Sequence, residues 1–559
     1  MQGDAHYSEL SKNDNDYMLV ELAAAPVFLV RETMSPGFEK SKRTEISSMK
    51  RPQFLAYFNT RLALACILIA ISSFNYGFDN QGFATTQAMD AFDKRFGDYN
   101  SRTKQYALDP AWLSLFNSLN YIGFAAGVLI GSQISAQFGR RWCMFSMSCY
   151  ALITATITVT SRNRDQILAA RILNYVYVGM ELAVVPTFQS EIVPAQVRGL
   201  AVGTYQFSII LGGLIINSIC RGTSKIEDDR AWRIPFGLFY IVPTIILSLI
   251  WFVPESPRWL LQQGCVEKSK ASLRQLRQGC FTTEQINDEF HELQTVLDQE
   301  VGKGHWVDLV KGVNLKRTAL VFMVNFFQQG TGQAFSSQYG AVYVKQLGTV
   351  NPFDMTVVLS LLNLVSIIGS LAYTDRVGRR PMLLASSAVM AAGLLTMGGL
   401  GTPNPMTTDL KKGVVGMYVV MALGFSLGWG PQTYVVATEL PALRLRDMTL
   451  QLGFVVNVIS NFVVNFTIPY LVDAEYAGLN SKVGFIFGAI AVVAFVCTFF
   501  FVPECRGKTL EQIDVMFHSG VKLRDFGSYD ASTLVAEQEF KGVEVASDTA
   551  KGDGNGVKQ

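Results

Sequence analysis

The sequence has few charged residues for its length. Only 16% of the 559 residues are Asp, Glu, Lys or Arg, whereas 49% are hydrophobic and the mean hydropathy is +0.25. A soluble domain carries about 25% charged residues, because its surface must face water. The composition therefore excludes a disordered chain and disfavours a soluble enzyme. We expect the apolar residues to face lipid.

An excess of charge of one sign is also missing. The formal net charge is +2, which indicates neither nucleic acid nor another polyanion as a partner. The four His and eight Cys form no CxxC or HExxH pattern, and no GxSxG motif or phosphate loop occurs in a water-facing segment. The sequence therefore predicts no metal, no cofactor and no enzyme activity, and no obligate protein partner is evident.

Long hydrophobic runs are present in number. A helix needs about 20 mostly apolar residues to cross a lipid bilayer. Twelve windows meet this requirement, with ends defined to within a few residues: 61–82, 110–133, 142–161, 167–190, 200–220, 234–253, 317–343, 354–374, 381–401, 413–438, 447–471 and 482–502.

The windows divide the chain into five regions. We predict a tail over 1–58, a six-helix half over 59–253, a charged helical linker over 254–316, a second six-helix half over 317–502 and a tail over 503–559. The tails are polar and lack periodicity. Lys and Arg are concentrated in the linker and in the loops on its side of the membrane. This bias predicts a cytoplasmic linker and two cytoplasmic tails.

Short motifs recur in the two halves with a near-constant offset of about 240–250 residues. Such repeats predict two halves of common design, as in many secondary transporters. Glu and Arg at the ends of neighbouring helices can form ion pairs and cap helix C-termini, which suits a gate rather than chemistry. In chain order, Glu191 and Arg198 recur as Glu439 and Arg446, Pro254-Glu255 as Pro503-Glu504, and Phe138-Gly139-Arg140-Arg141 as Val377-Gly378-Arg379-Arg380.

Five motifs resemble the sugar porter family of the major facilitator superfamily, and the likeness is strongest to fungal members. They are Arg171 with Pro186-Thr-Phe-Gln-Ser-Glu191, Pro254-Glu-Ser-Pro-Arg-Trp-Leu260, Asp375-Arg-Val-Gly-Arg-Arg380, Gly430-Pro431 with Glu439, and Pro503-Glu-Cys-Arg-Gly-Lys-Thr509. The resemblance covers about residues 60 to 515. It implies an all-α membrane protein of twelve helices in two halves that transports a sugar by alternating access.

The resemblance also implies a cytoplasmic gate. Its predicted members are Arg140, Arg141, Glu191, Arg198, Glu255, Arg258, Asp375, Arg379, Arg380, Glu439, Arg446 and Glu504. Ala136 and Gln137 stand where the family usually has Asp and Arg, so one charge pair is missing from the amino half.

The seventh window contains a polar stretch, Asn325 to Tyr339, with adjacent Gln residues, several Gly and a Ser pair. Such a segment suits a breakable helix that lines a cavity, and a Gln amide can both donate to and accept from a hydroxyl. The resemblance implies substrate contacts at Gln206, Gln328, Gln329, Tyr339, Tyr434 and Asn457. Ala334 and Gln338 replace the family's usual Asn and Tyr, which puts specificity for plain glucose in doubt.

Asp79 lies inside the first window, and Arg171 lies early in the fourth. A buried carboxylate whose proton affinity depends on a nearby cation can act as a proton-coupling switch. The resemblance agrees, since Asp79 aligns with the proton-binding Asp of proton–sugar symporters. A permanent structural ion pair is the alternative. Glu181 lies in the middle of the fourth window, and three roles are left open for it: a contact to a substrate hydroxyl, a second proton site, or a buried structural carboxyl.

Three functions remain in consideration. The first is a plasma-membrane proton symporter for a hexose, pentose or disaccharide. The second is a carrier of another polyhydroxy compound or a secondary metabolite on the same scaffold. The third is a non-transporting sugar sensor, which we disfavour because only about 55 residues follow Pro503.

Overall fold

The computed structural model describes residues 57–529, apart from 101–103, 195–196, 300–304, 474 and 509. The predicted amino-terminal tail therefore lies outside the described residues except for its last two, and so does the carboxyl-terminal tail beyond 529. Most of the described residues are helical. The chain's one described sheet is a two-stranded hairpin.

The amino half is built from helices that cross the bundle six times, with a small cap after the first crossing. Its elements are α1 (Thr60–Thr86), α2 (Asp90–Phe96), β1 (Asp98–Asn100), β2 (Gln105–Ala107), α3 (Pro110–Ser118), α4 (Asn120–Phe138), α5 (Arg140–Val159), α6 (Arg164–Ile192), α7 (Arg198–Thr223), α8 (Arg230–Gly237) and α9 (Ile241–Leu249). The hairpin is antiparallel and pairs Tyr99 with Tyr106.

The linker and the carboxyl half follow. Three short helices form the linker: α10 (Pro257–Gln262), α11 (Val266–Arg277) and α12 (Thr283–Gln299). The carboxyl half comprises α13 (Gly312–Gly330), α14 (Gln333–Ser337), α15 (Gly340–Leu347), α16 (Pro352–Val377), α17 (Arg379–Leu400), α18 (Thr408–Leu427), α19 (Trp429–Glu439), α20 (Arg446–Val472) and α21 (Val483–Phe501), and α22 (Leu510–His518) packs beneath it.

The predicted twelve-segment architecture is confirmed. Among the described residues, ten segments are long and apolar enough to cross a membrane. The other two are α7, with 26 residues, and the interrupted seventh segment α13–α15. The interruption falls at Gly332, whose φ of +86° is left-handed and whose missing Cβ leaves room for the Phe487 ring.

Several helices begin where polar caps fix their ends. Asn59 accepts a hydrogen bond from the backbone N–H of Leu62 at 2.7 Å, and the carboxylate of Asp109 precedes Pro110 in the same capping role. Asn351 does likewise before Pro352. Side-chain oxygens satisfy N–H groups that have no partner inside the helix, and Pro is tolerated at the first helical position.

The two halves meet at the end of the bundle that carries α2 and the hairpin, which we call the outer end; the opposite end, which carries α10–α12, is the linker end. Apolar contact there includes Ala341 and Phe353 of the carboxyl half within an aromatic core of the amino half. Polar contacts across the halves join Ser114 to the Phe466 carbonyl (2.7 Å), Asn217 to Ser360 (2.8 Å), Gln338 to Asn80 (2.7 Å), Lys345 to Asp93 (2.7 Å) and to Asp90 (2.6 Å), and Arg221 to Asp354. The outer end is therefore closed.

Candidate functional site

Amide side chains form a hydrogen-bonded cluster in the carboxyl half. The Nδ2 of Asn457, on α20, donates to the Oε1 of Gln328 at 2.6 Å, and the Nε2 of Gln329 donates to the Oδ1 of Asn457 at 3.2 Å. Gln328 also donates to the carbonyl of Gly430 at 3.2 Å. The Oε1 of Gln329 is buried and has no partner. The cluster thus keeps a free acceptor in the interior of the protein.

Two of the other residues that were expected to contact substrate lie at different depths. Tyr434 is half-buried on α19, beside Gln328, and it faces Tyr76 and Tyr205 of the amino half. Gln206 is exposed on α7. Tyr434 therefore lies between the amide cluster and the amino half.

Tyr339 occupies a different environment from the amide cluster. Its ring is 3% exposed, and its hydroxyl donates to the carbonyl of Asn465 on α20 at 2.6 Å. The neighbouring Gln338 points across to the amino half, where its Nε2 donates to the Oδ1 of Asn80 at 2.7 Å. Ala334 is buried. This stretch closes the outer end and adds no hydroxyl contact to the amide cluster here.

Asp79 and Arg171 form a buried ion pair between α1 and α6. The Oδ2 of Asp79 lies 3.2 Å from Nη1 of Arg171, and the two side chains are only 3% and 2% exposed. The other carboxylate oxygen and the Nε and Nη2 atoms of Arg171 have no hydrogen-bond partner. The guanidinium carbon instead lies 3.8 Å from the centre of the Phe83 ring and 4.7 Å from that of Tyr175. One hydrogen bond joins two buried charges, so separating the pair is costly while both groups are charged and becomes much easier once Asp79 is protonated.

Asn80 places the ion pair next to the outer contacts. Its Oδ1 accepts from Gln338 and, at 3.3 Å, from the hydroxyl of Tyr175, the residue whose ring lies against Arg171. Asp79 precedes it on α1. A movement of the ion pair can therefore reach the closed outer end through two hydrogen bonds.

At the linker end of the amino half, Arg140 links three helices. Its Nε and Nη2 each donate to Glu191 at 3.0 Å, and its Nη1 donates to the carbonyl of Ser135 at 2.9 Å. The carboxylate of Glu255 accepts from the backbone N–H groups of Arg140 and Arg141, both at 3.1 Å. Burial raises the pKa of Glu255, and these amide donors and the Arg140 charge oppose that rise.

The carboxyl half repeats this arrangement. Arg379 donates to Glu439 at 2.9 Å, and the carboxylate of Glu504 accepts from the backbone N–H groups of Arg379 and Arg380 at 3.2 and 3.0 Å. Each ion pair lies within one half. The Arg140–Glu191 and Arg379–Glu439 pairs therefore brace the two halves individually in this conformation.

The remaining predicted gate residues surround these braces. Arg141 donates to the carbonyl of Val253 at 3.3 Å, and Arg380 donates to that of Phe499 at 2.7 Å. Arg258 and Arg446 are half-buried at the start of α10 and of α20. The side chains of Arg198 and Asp375 lie outside the described part of the structure.

Sequence reasoning did not foresee that Glu255 and Glu504 cap helix N-termini. The signal was present in the Gly that precedes each Arg pair. Gly139 and Gly378 have φ of +97° and +104°, and a Cβ on them would lie 2.5 and 2.6 Å from a carboxylate oxygen of Glu255 and Glu504. Only Gly lets the carboxylate approach the helix end so closely.

Comparisons with known proteins agree with this architecture. The family described as "Sugar (and other) transporter" matches residues 65–517. The low-affinity glucose transporter HXT3 of Saccharomyces cerevisiae is 28% identical over 82% of each chain, and the MFS transporter fmqE of Aspergillus fumigatus is 28% identical over 87% of this chain and 90% of that one. An inward-open structure of the xylose transporter XylE from E. coli superimposes with a TM-score of 0.67 at 22% identity, covering 81% of this chain and 99% of XylE.

The family match spans most of the chain, and the solved structure shares its fold. The predictions of a twelve-helix membrane protein that is not an enzyme are confirmed. The chain belongs to the sugar porter family of the major facilitator superfamily, a family of multi-pass membrane transporters.

Proposed function

We propose that the protein is a proton-coupled sugar transporter of the plasma membrane, with its termini and linker in the cytoplasm. The observation that carries this proposal is the buried Asp79–Arg171 pair, which two hydrogen bonds connect to the closed outer end. The family membership and the relatives named as glucose and xylose transporters support a sugar as the substrate.

The amide cluster supplies the binding chemistry. Gln328, Gln329 and Asn457 each carry an acceptor oxygen and two N–H donors, which match a hydroxyl that also donates and accepts. Their mutual hydrogen bonds hold the amides in position before substrate arrives. A sugar replaces some of these bonds, so its ring hydroxyls gain partners without leaving buried polar atoms unsatisfied.

The ion pair supplies the proton switch. While Asp79 is ionised, Arg171 stays against it. A proton that enters while the outer end is open neutralises the carboxyl and removes the attraction, so Arg171 is then held only by the Phe83 and Tyr175 rings that it contacts. The loaded carrier closes its outer end, where the Tyr175 hydroxyl and the Gln338 amide both donate to Asn80. Release of the proton to the cytoplasm restores the ion pair, and the empty carrier returns to its outward-open state.

Uptake in a yeast strain that lacks hexose transporters tests this proposal. We expect one sugar of a panel of glucose, xylose, maltose, cellobiose and lactose to enter the cells and to make an unbuffered medium alkaline. Asp79→Asn should abolish the alkalinisation, because Asn cannot carry the proton. Sugar uptake without a pH change would make the protein a facilitator and the ion pair structural.

A second candidate is a carrier of another polyhydroxy compound or of a secondary metabolite. Two features favour this candidate. Ala334 is buried and has no polar group, and Gln338 is hydrogen-bonded to Asn80, so neither residue offers the substrate the hydroxyl contact that the family usually has at its position. Absence of uptake of every sugar, with the protein at the cell surface, would support this candidate. A sensor would show neither uptake nor pH change with any solute.

A further inference from the structure

A second acidic residue lies in the interior of the amino half. Glu181 is in the middle of α6, is 0% exposed, and neither of its carboxylate oxygens has a hydrogen-bond partner of standard geometry. Among the described residues, no Lys, Arg or His forms an ion pair with it. Asp79, by contrast, has Arg171 as its partner. Glu181 is therefore not accounted for by the proton switch.

The surroundings of Glu181 contain further polar atoms without partners. The hydroxyls of Ser73 and Tyr205 face its carboxyl group. The Oγ of Ser72, the Oδ1 of Asn75 and the hydroxyl of Tyr205 are likewise buried and without a hydrogen-bond partner. We call Ser72, Asn75, Glu181 and Tyr205 the Glu181 cluster; its members come from α1, α6 and α7.

A buried polar group without a hydrogen-bond partner is destabilising, because it has lost its water and gained nothing in return. Native interiors contain few of them, and several in one place require an explanation. A ligand that brings hydrogen-bond donors would satisfy the free acceptors on Glu181 and Asn75. The Glu181 cluster is buried in this conformation, and its composition is that of a polar binding site rather than of a packed core.

The Glu181 cluster is contiguous with the amide cluster of the other half. Tyr434 contacts Gln328 on one side and faces Tyr205 and Tyr76 on the other. Tyr76 and Tyr434 are both half-buried. Tyr434 therefore lies between the amide cluster of the carboxyl half and Tyr205 of the Glu181 cluster.

We propose that the Glu181 cluster is a second substrate subsite, on the amino half, which binds donor hydroxyls of a second sugar ring or of an equivalent polyhydroxy group. The amide cluster holds the first ring, and Tyr434 lies between the two clusters. The preferred substrate is then larger than one monosaccharide. This inference rests on the proposed transport function.

Transport kinetics of the full-length protein in the same yeast strain test the subsite. The substrates are glucose and xylose as single rings and maltose and cellobiose as two rings. The variants are Glu181→Leu, which removes both acceptors at similar volume, and Glu181→Gln, which keeps one acceptor and guards against a folding defect. Thr154→Val is the matched control, because Thr154 is equally buried in the amino half and has its partners in Ala151 and Asn174.

We expect Glu181→Leu to raise the KM for the disaccharide by about tenfold, the value of one lost hydrogen bond, and to change the KM for the monosaccharides less than about twofold. Glu181→Gln should have a smaller effect in the same direction, and Thr154→Val should have none. Equal KM values in wild type and Glu181→Gln, or a wild type that carries only monosaccharides, would overturn the subsite while leaving the transport function. A changed ratio of protons to sugar in Glu181→Gln would assign Glu181 to proton transfer and also overturn it. Absence of any sugar uptake by wild type would remove both proposals.

Discussion

Substitution of Gly139 by Ala should damage the brace at the linker end of the amino half. Gly139 has φ of +97° and ψ of 166°, a conformation that is essentially restricted to Gly. A Cβ would lie 2.5 Å from Oε2 of Glu255. The carboxylate would have to leave the two backbone N–H groups at the start of α5 that it now accepts from.

The size of the effect follows from these two terms. The strained backbone costs about 1–3 kcal/mol, and loss of charge-assisted hydrogen bonds at the helix end costs about 1.5–3 kcal/mol. We therefore expect Gly139→Ala to destabilise the protein by about 2.5–6 kcal/mol, the sum of the two contributions. Gly378→Ala should do the same in the other half, since its Cβ would lie 2.6 Å from Oε2 of Glu504.

The assay is the apparent melting temperature of the protein purified in detergent, together with sugar uptake. Gly222→Ala is the control, because that helical position is open and Ala should stabilise it by about 0.5–1 kcal/mol. In a Glu255→Ala background the carboxylate is absent, so Gly139→Ala should cost only the backbone term. Equal melting temperatures for Gly139→Ala and Gly222→Ala, or strictly additive effects of Gly139→Ala and Glu255→Ala, would refute this reasoning.

Three further predictions concern the site and the outer end. Asn457→Ala removes bonds to both glutamines and should raise the KM for sugar by about tenfold, whereas Asn461→Ala should not. Lys345→Met removes the cation between Asp90 and Asp93 and should increase labelling of a cysteine introduced beneath the outer end. Burial raises the pKa of Asp93 to about 6 from a usual 3.8, with the Lys345 charge opposing. The closed outer end therefore favours the protonated form of Asp93. Its contribution to the stability of the closed state is full below about pH 4 and is lost as the pH rises through about 6. In Asp93→Asn, the cysteine labelling should no longer depend on pH over this range.

Hydropathy predicted the existence and order of the membrane segments, because a run of about 20 apolar residues is stable in few places other than the lipid bilayer. It predicted the ends less well. The fourth segment was expected over 167–190 and runs over Arg164–Ile192, and the first was expected to end at 82 and ends at Thr86. Helix ends depend on capping and on buried polar residues, to which a hydropathy window is blind.

The site was predictable in part. Resemblance indicated Gln328, Gln329 and Asn457, which the structure brings together. It also indicated Tyr339, which the structure buries against the Asn465 carbonyl, away from the amides. The direction of a side chain on a broken helix depends on tertiary packing, which one sequence does not encode locally.

Two features at the outer end could not be predicted from the local sequence. The Gln338–Asn80 bond joins residues 258 positions apart, and the small cap of α2 and the hairpin arises in a loop with no apolar period. Contacts of this kind follow from how the two halves close against each other, so only the folded structure reveals them.

Accumulation of sugar in proteoliposomes under an imposed proton gradient tests the central claim most directly. The purified protein should concentrate its sugar when the outside is acidic, and collapse of the gradient with an uncoupler should release it. Asp79→Asn should still exchange labelled for unlabelled sugar across the membrane but should no longer concentrate it. Gradient-driven accumulation by Asp79→Asn equal to that of wild type would contradict the assignment of Asp79 and Arg171 as the proton switch.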